Sequence, residues 1–103
     1  MNAEAFAIRG MEQALWYLLA GTRGGKNRAR IINSLDDRPK NANRLSESLD
    51  LDYKTVKHHI DMLEEYDIVE SGGNDYGEMY FLTDRFEENR DSFDEITEKV
   101  EDL

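Results

Sequence analysis

The sequence predicts a mainly α-helical domain closed by one small β-hairpin. Apolar residues recur at helical spacing in successive segments up to Tyr66, broken by Gly21, Gly24 and Gly25 and by the single proline, Pro39. Two short β-forming runs follow, Ile68-Val69-Glu70 and Glu78-Met79-Tyr80-Phe81-Leu82. Between them lies the turn-forming stretch Gly72-Gly73-Asn74-Asp75-Tyr76-Gly77, which reads as a hairpin tip.

Residues 3–20 read as the first helix, with Phe6, Met11, Leu15, Leu18 and Leu19 at apolar positions and Trp16 and Tyr17 adding bulk near its end. Gly10 weakens it locally, since glycine costs about 1 kcal/mol in a helix interior. A second helix is expected from Lys26 to Asp36, with Ile31, Ile32 and Leu35 inward and Arg28 and Arg30 outward. Pro39 ends it, because proline disfavours helical geometry in the residue before it. Asn41 caps a third helix, Ala42 to Leu49. Asp50 takes the following corner, where aspartate tolerates a left-handed backbone better than most residues. Asp52 caps a fourth helix, about residues 53–66. Asp84 is expected to cap a last helix that runs to the C-terminus.

In the stretch from Asn41 to Tyr66, Leu45 and Leu49 lie four apart and Leu51 falls in the corner. Val56, Ile60 and Leu63 then follow at helical spacing. Such a pair lets one helix pack across another and keep its outer face free, the requirement of a helix-turn-helix. Helices followed by a two-stranded hairpin give the winged-helix order. We expect one domain: an N-terminal helix over 1–21, a winged-helix core over 22–83 and a C-terminal helix over 84–103.

The chain has 103 residues, no cysteine and a net charge of −10. Lack of cysteine removes disulfides, thiol nucleophiles and thiolate metal sites. The longest apolar run, Ala14 to Ala20, is far short of the roughly 18–20 residues that cross a bilayer. No secretory leader pattern precedes it, so a cytoplasmic protein is expected. The charge is unevenly divided. Residues 23–60 hold nine basic groups against five acids, whereas residues 61–103 hold sixteen acids against three basic groups. Basic charge therefore gathers where the helix-turn-helix lies. Eight arginines against five lysines, within an acidic whole, suggest a salt-rich cytoplasm such as that of halophilic archaea.

The run Asn43-Arg44-Leu45-Ser46-Glu47-Ser48-Leu49-Asp50-Leu51-Asp52-Tyr53 continues into Lys54-Thr55-Val56-Lys57-His58-His59-Ile60-Asp61-Met62-Leu63. Together they resemble an ArsR-type winged helix-turn-helix repressor, and Thr55-Val56-Lys57-His58-His59-Ile60 is similar to that family's reading-helix signature. The stretch from Thr22 to Ile31 resembles small haloarchaeal regulators of this class. The resemblance implies a homodimeric transcription regulator that binds double-stranded DNA.

A wheel at 100° per residue puts Val56, Ile60 and Leu63 inward, with Tyr53 and His59 on the margins. Lys54 and His58 lie opposite, flanked by Lys57 and Thr55. Residues near the N-terminal end of such a helix reach deepest into the major groove, so Lys54, Thr55, Lys57 and His58 are the expected base-proximal set. His59 is expected to pack at the core edge. Tyr53 either covers the core or touches a phosphate. Asn41, Asn43 and Arg44 open the supporting helix and are candidate phosphate contacts. Arg23, Lys26 and Arg28 are further candidates, with a merely solvated face the equal alternative. The hairpin tip carries no arginine or lysine, which gives no reason to expect minor-groove insertion.

For the dimer, Phe86, Phe93 and Val100 recur every seven residues, Ile96 fills an intervening position with Leu103, and Asn89 takes the polar one. This stripe reads as a seam between two copies or as a helix folded back on its own domain. Leu15, Trp16 and Leu19 form a second candidate interface. The resembled family senses metals through cysteine, or through histidine and carboxylate sites on the dimerisation helix. No cysteine or histidine stands there, and no cofactor or metal is expected. Adjacent His58 and His59 point about 100° apart on a helix, which does not suit shared ligation. The effector, if one exists, is not named by the sequence. No enzyme is expected, since no glycine-rich phosphate loop follows a strand and no nucleophile–base constellation is visible. The alternative function is a winged-helix protein–protein interaction module that uses the acidic surface.

Overall fold

The computed structural model describes residues 3–74 and 77–100, and the side chains of 10–73 and 77–100. Helix α1 (Ala3–Trp16) runs into a π-helical turn, Tyr17–Gly21, where one continuous helix was expected. Met11, Leu15, Leu18 and Leu19 are buried along it. Helix α2 (Gly25–Asp37) starts directly beneath that turn. A Cβ on Gly25 would collide with the Leu19 carbonyl, so only glycine lets the two backbones cross. Gly24, at φ 91°, makes the left-handed step that precedes α2.

Asn41 caps α3 (Ala42–Leu49), its Oδ1 accepting from the Arg44 N–H at 2.8 Å. Asp50 closes α3 at φ 54° and ψ 49°, the left-handed corner read from the sequence. Asp52 caps α4 (Tyr53–Glu65) through the Lys54 N–H at 2.9 Å. Such caps are each worth about 1 kcal/mol. Val56, Ile60 and Leu63 of α4 are fully buried with Leu45 of α3 and Ile31 and Ile32 of α2. Burial of one such aliphatic side chain contributes about 1.5–3 kcal/mol.

Asp67, with φ 61°, turns the chain into an antiparallel hairpin of β1 (Val69–Asn74) and β2 (Gly77–Leu82). Its register runs from Val69 opposite Leu82 to Asn74 opposite Gly77. Both strands are longer than expected, and β1 includes Gly72 and Gly73. Asp75 and Tyr76 of the expected tip, and the side chain of Asn74, lie outside the described residues, as do Leu103 and the side chain of Phe6. The sequence reading missed a third partner: the Tyr80 N–H donates to the Lys40 carbonyl at 2.9 Å, which seats the hairpin on the segment before α3.

The C-terminal segment is two helices, α5 (Asp84–Glu88) and α6 (Arg90–Lys99), where one was expected. Thr83, and not Asp84, caps the first; its hydroxyl accepts from the Phe86 N–H at 3.0 Å and donates to the Asp67 carbonyl at 2.7 Å. Asn89 stands at the break, its side chain donating to the Arg85 carbonyl at 2.8 Å. The expected seam turns inward. Phe86, Phe93 and Ile96 are buried in their own domain, and Phe86 and Phe93 meet edge-on with centroids 5.5 Å apart. Leu15, Leu19 and Asn89 are buried as well, and Val100 packs against the same core. An apolar stripe gains the same transfer free energy against its own domain as against a partner, and here its own helix α1 and the π-turn supply that surface. Of the residues assigned to the interface, Trp16 alone is exposed, at 37 %.

Candidate nucleic-acid interface

The corner between α3 and α4 is held from both sides, by the Leu51 N–H donating to the Ser46 carbonyl at 3.0 Å and by the Ser46 hydroxyl donating to the Leu51 carbonyl. With both helix starts capped, the outer edge of α4 stands on a fixed base. Lys54 and His58 are exposed on that edge, Thr55 is half-buried beside them, and Asp61 and Glu65 continue it toward the C-terminal end. Tyr53 is 47 % exposed at the first position of the helix, so it lies outside the core.

Lys57 does not project with its neighbours. Its ammonium donates to the Tyr80 hydroxyl at 3.0 Å and lies 3.8 Å from the Asp61 carboxylate. The hydrogen bond to Tyr80, more than the nearby anions, raises its pKa above the ordinary lysine range. The Tyr80 hydroxyl in turn lies 3.4 Å from Glu78 Oε2. This chain crosses a cleft of about 240 Å³ lined by Asn41, Asn43, Tyr53, Lys57, Glu78 and Tyr80, where the N-terminal ends of α3 and α4 meet the hairpin. Sequence reasoning named four of those six. Glu78 and Tyr80 were missed, although their alternation with Leu82 already set all three on one face of β2.

Asn43 and Arg44 are exposed at the start of α3. Arg44 lines a second cleft of about 270 Å³ with Arg38, Pro39, Lys40, Asn41 and Met79. Arg23 and Lys26 are exposed before and within the first turn of α2, and neither lines these two clefts. Arg28 corrects the sequence reading. Expected outward, it is 3 % exposed, and its guanidinium donates to the Leu18 carbonyl, the Thr22 hydroxyl and His59 Nδ1 at 2.7, 2.7 and 3.3 Å. A side chain so enclosed does not present its charge to a phosphate. Arg30, also expected outward, is half-buried and donates to the Leu49 carbonyl at 2.7 Å. His59 is 6 % exposed on the inner face, as the helical wheel indicates.

The face therefore offers three exposed side chains with donor capacity on α4 (Tyr53, Lys54 and His58), a polar helix start on α3 and two arginines on the second cleft. Its cleft also holds a carboxylate. Among the described residues there is no group of three or more metal-ligating side chains, and no helix is long and apolar enough to cross a membrane. Residues 25–71 match the family model described as bacterial regulatory protein, arsR family. That span runs from α2 through α4 into β1, so it contains the whole helix pair and its corner. The match suggests a DNA-binding transcription regulator, a family of regulators and not of enzymes. No curated protein is significantly similar to the chain.

Proposed function

We propose that the chain is a homodimeric transcription regulator that reads double-stranded DNA with α4 in the major groove. The observation that supports this most directly is the Lys54–His58 edge, exposed on a helix whose start, corner and inner face are all fixed. Lysine donates to guanine acceptors and the Thr55 methyl suits a thymine methyl. Asn43 and Arg44 hold backbone phosphates, and two copies read half-sites about 10 base pairs apart. Occlusion of a promoter is the proposed mode of action. With the C-terminal stripe turned inward, the exposed pair Trp16 and Tyr17 is the surface we assign to a second copy; Tyr17 lies 6.0 Å from the Tyr66 ring. The acidic remainder of the surface fits a salt-rich cytoplasm.

Footprinting on genomic DNA tests the reading. Lys54→Ala and His58→Ala are expected to abolish specific protection while leaving the far-ultraviolet spectrum and melting temperature unchanged. Full retention of specific binding by both variants removes the assignment. One observation favours a second reading, a protein-interaction module: the hairpin has no arginine or lysine and sets Glu78 in the cleft. Absence of DNA binding at physiological salt, with capture of a defined protein partner, would select it.

A further inference from the structure

Arg28 is the most enclosed cation of the described residues, and no ion pair among them includes it. Burial pushes its pKa below the ordinary arginine range. A charge kept away from water and unpaired is expensive, so its hydrogen bonds must hold it. Those bonds join three parts of the chain. Nη1 donates to the Leu18 carbonyl in the π-turn and to Thr22, Nε to His59 Nδ1, and Nη2 to Met62 Sδ at 3.4 Å. His59 lies on the inner face of α4 next to His58, and the half-buried Met62 lies three residues further on, one turn beyond His58. On the other side, a Cβ on Gly24 would come within 2.7 Å of His59 Cε1, so the imidazole is also packed against the backbone before α2.

We propose that Arg28 is a positioning residue for DNA recognition, fixing the rotation of α4 through His59 and Met62 without touching DNA. The lever is geometric. A helix with its side chains has a radius of about 5–6 Å, so a rotation of about 10° displaces its outer edge by about 1 Å. A recognition constellation tolerates only about 0.5 Å. Apolar packing of Val56, Ile60 and Leu63 holds the inner face in place, but dispersion contacts are individually weak and non-directional, so they set the rotation less sharply than hydrogen bonds do. Directional hydrogen bonds from a fixed guanidinium make them costly. The same geometry sets a tautomer: with Arg28 Nε–H donating to Nδ1, the neutral His59 carries its proton on Nε2. Titratable groups facing this pair are His58 from α4 itself and the Tyr17 hydroxyl from the π-turn, and neither accepts a hydrogen bond from Arg28.

This inference rests on the DNA-binding reading, and the experiment separates the two. The probe is the duplex that the wild-type chain enriches from a randomised pool of short duplexes. Arg28→Lys keeps the charge and loses the fork; His59→Leu keeps bulk and loses the acceptor; His59→Asn keeps an acceptor near the Nδ1 position. Affinities are compared at a temperature where melting curves show each variant folded. Arg28→Lys and His59→Leu are expected to bind roughly 3- to 30-fold more weakly, the usual range for coupling through residues that touch no ligand. His59→Asn is expected to stay within about two-fold of wild type. Imidazole ¹⁵N spectra of the wild-type protein, which need no variant, are expected to show His59 as the Nε2–H tautomer. Equal affinity of the folded Arg28→Lys and wild-type proteins, equal affinity of the His59→Leu and His59→Asn variants, or a proton on Nδ1 would each overturn the proposal. A wild-type chain that enriches no duplex overturns the functional reading and this inference with it.

Discussion

His59 makes the stability of this protein depend on pH between about 6.5 and 4. Burial first, then the charges of Arg28 and His58, lower its pKa from 6.5 to about 4. The unfolded chain takes up this proton at a higher pH than the folded one, so stability rises with pH between the two values. The contribution is fully present above about pH 6.5 and is lost as the pH falls toward 4. At about 1.4 kcal/mol per pKa unit, the whole effect is about 3 kcal/mol, of which about 2 kcal/mol is gone by about pH 5. That is a large share of the stability of a domain this size. Urea unfolding followed by tryptophan fluorescence across this range measures it, with His59→Asn as the reference. The other side chains are common to both proteins, so the difference isolates position 59. The wild type is expected to lose about 2 kcal/mol more than the variant between about pH 7.5 and 5. Parallel pH curves for the two would refute the claim that a buried neutral imidazole beside Arg28 is part of the fold.

The carboxylate of Glu78, set in the cleft beside Lys57 and the start of α3, is expected to take up a cation when phosphate enters. The log–log dependence of DNA affinity on salt is then shallower than the basic contacts imply, and Glu78→Gln steepens it by up to about one unit; an unchanged slope in a titration series contradicts this. Thr83→Val removes a buried cap and a hydrogen bond to the Asp67 carbonyl. A loss of about 1–2 kcal/mol is expected in chemical denaturation, and a loss below a few tenths would show that the hydroxyl does not fasten α5 to the turn before β1.

By itself the sequence determined what is local. Helical spacing of Val56, Ile60 and Leu63 set His59 inward and His58 outward, and the short polar side chains of Asn41, Asp50 and Asp52 marked where α3 and α4 begin and turn. These features depend on neighbours within one helical turn, so periodicity and capping chemistry reveal them. Only the tertiary structure decided which long side chains stay outside. Arg28 reads as a surface residue because arginine usually is one; its burial depends on acceptors 10 and 31 positions away. Lys57 likewise reads as a groove contact until Tyr80, 23 positions on, captures its ammonium. The stripe of Phe86, Phe93 and Ile96 is as suitable for a partner as for its own domain, and the break at Asn89 lets it fold back. Hydrophobic pattern specifies that a face is covered; the chain path specifies by what.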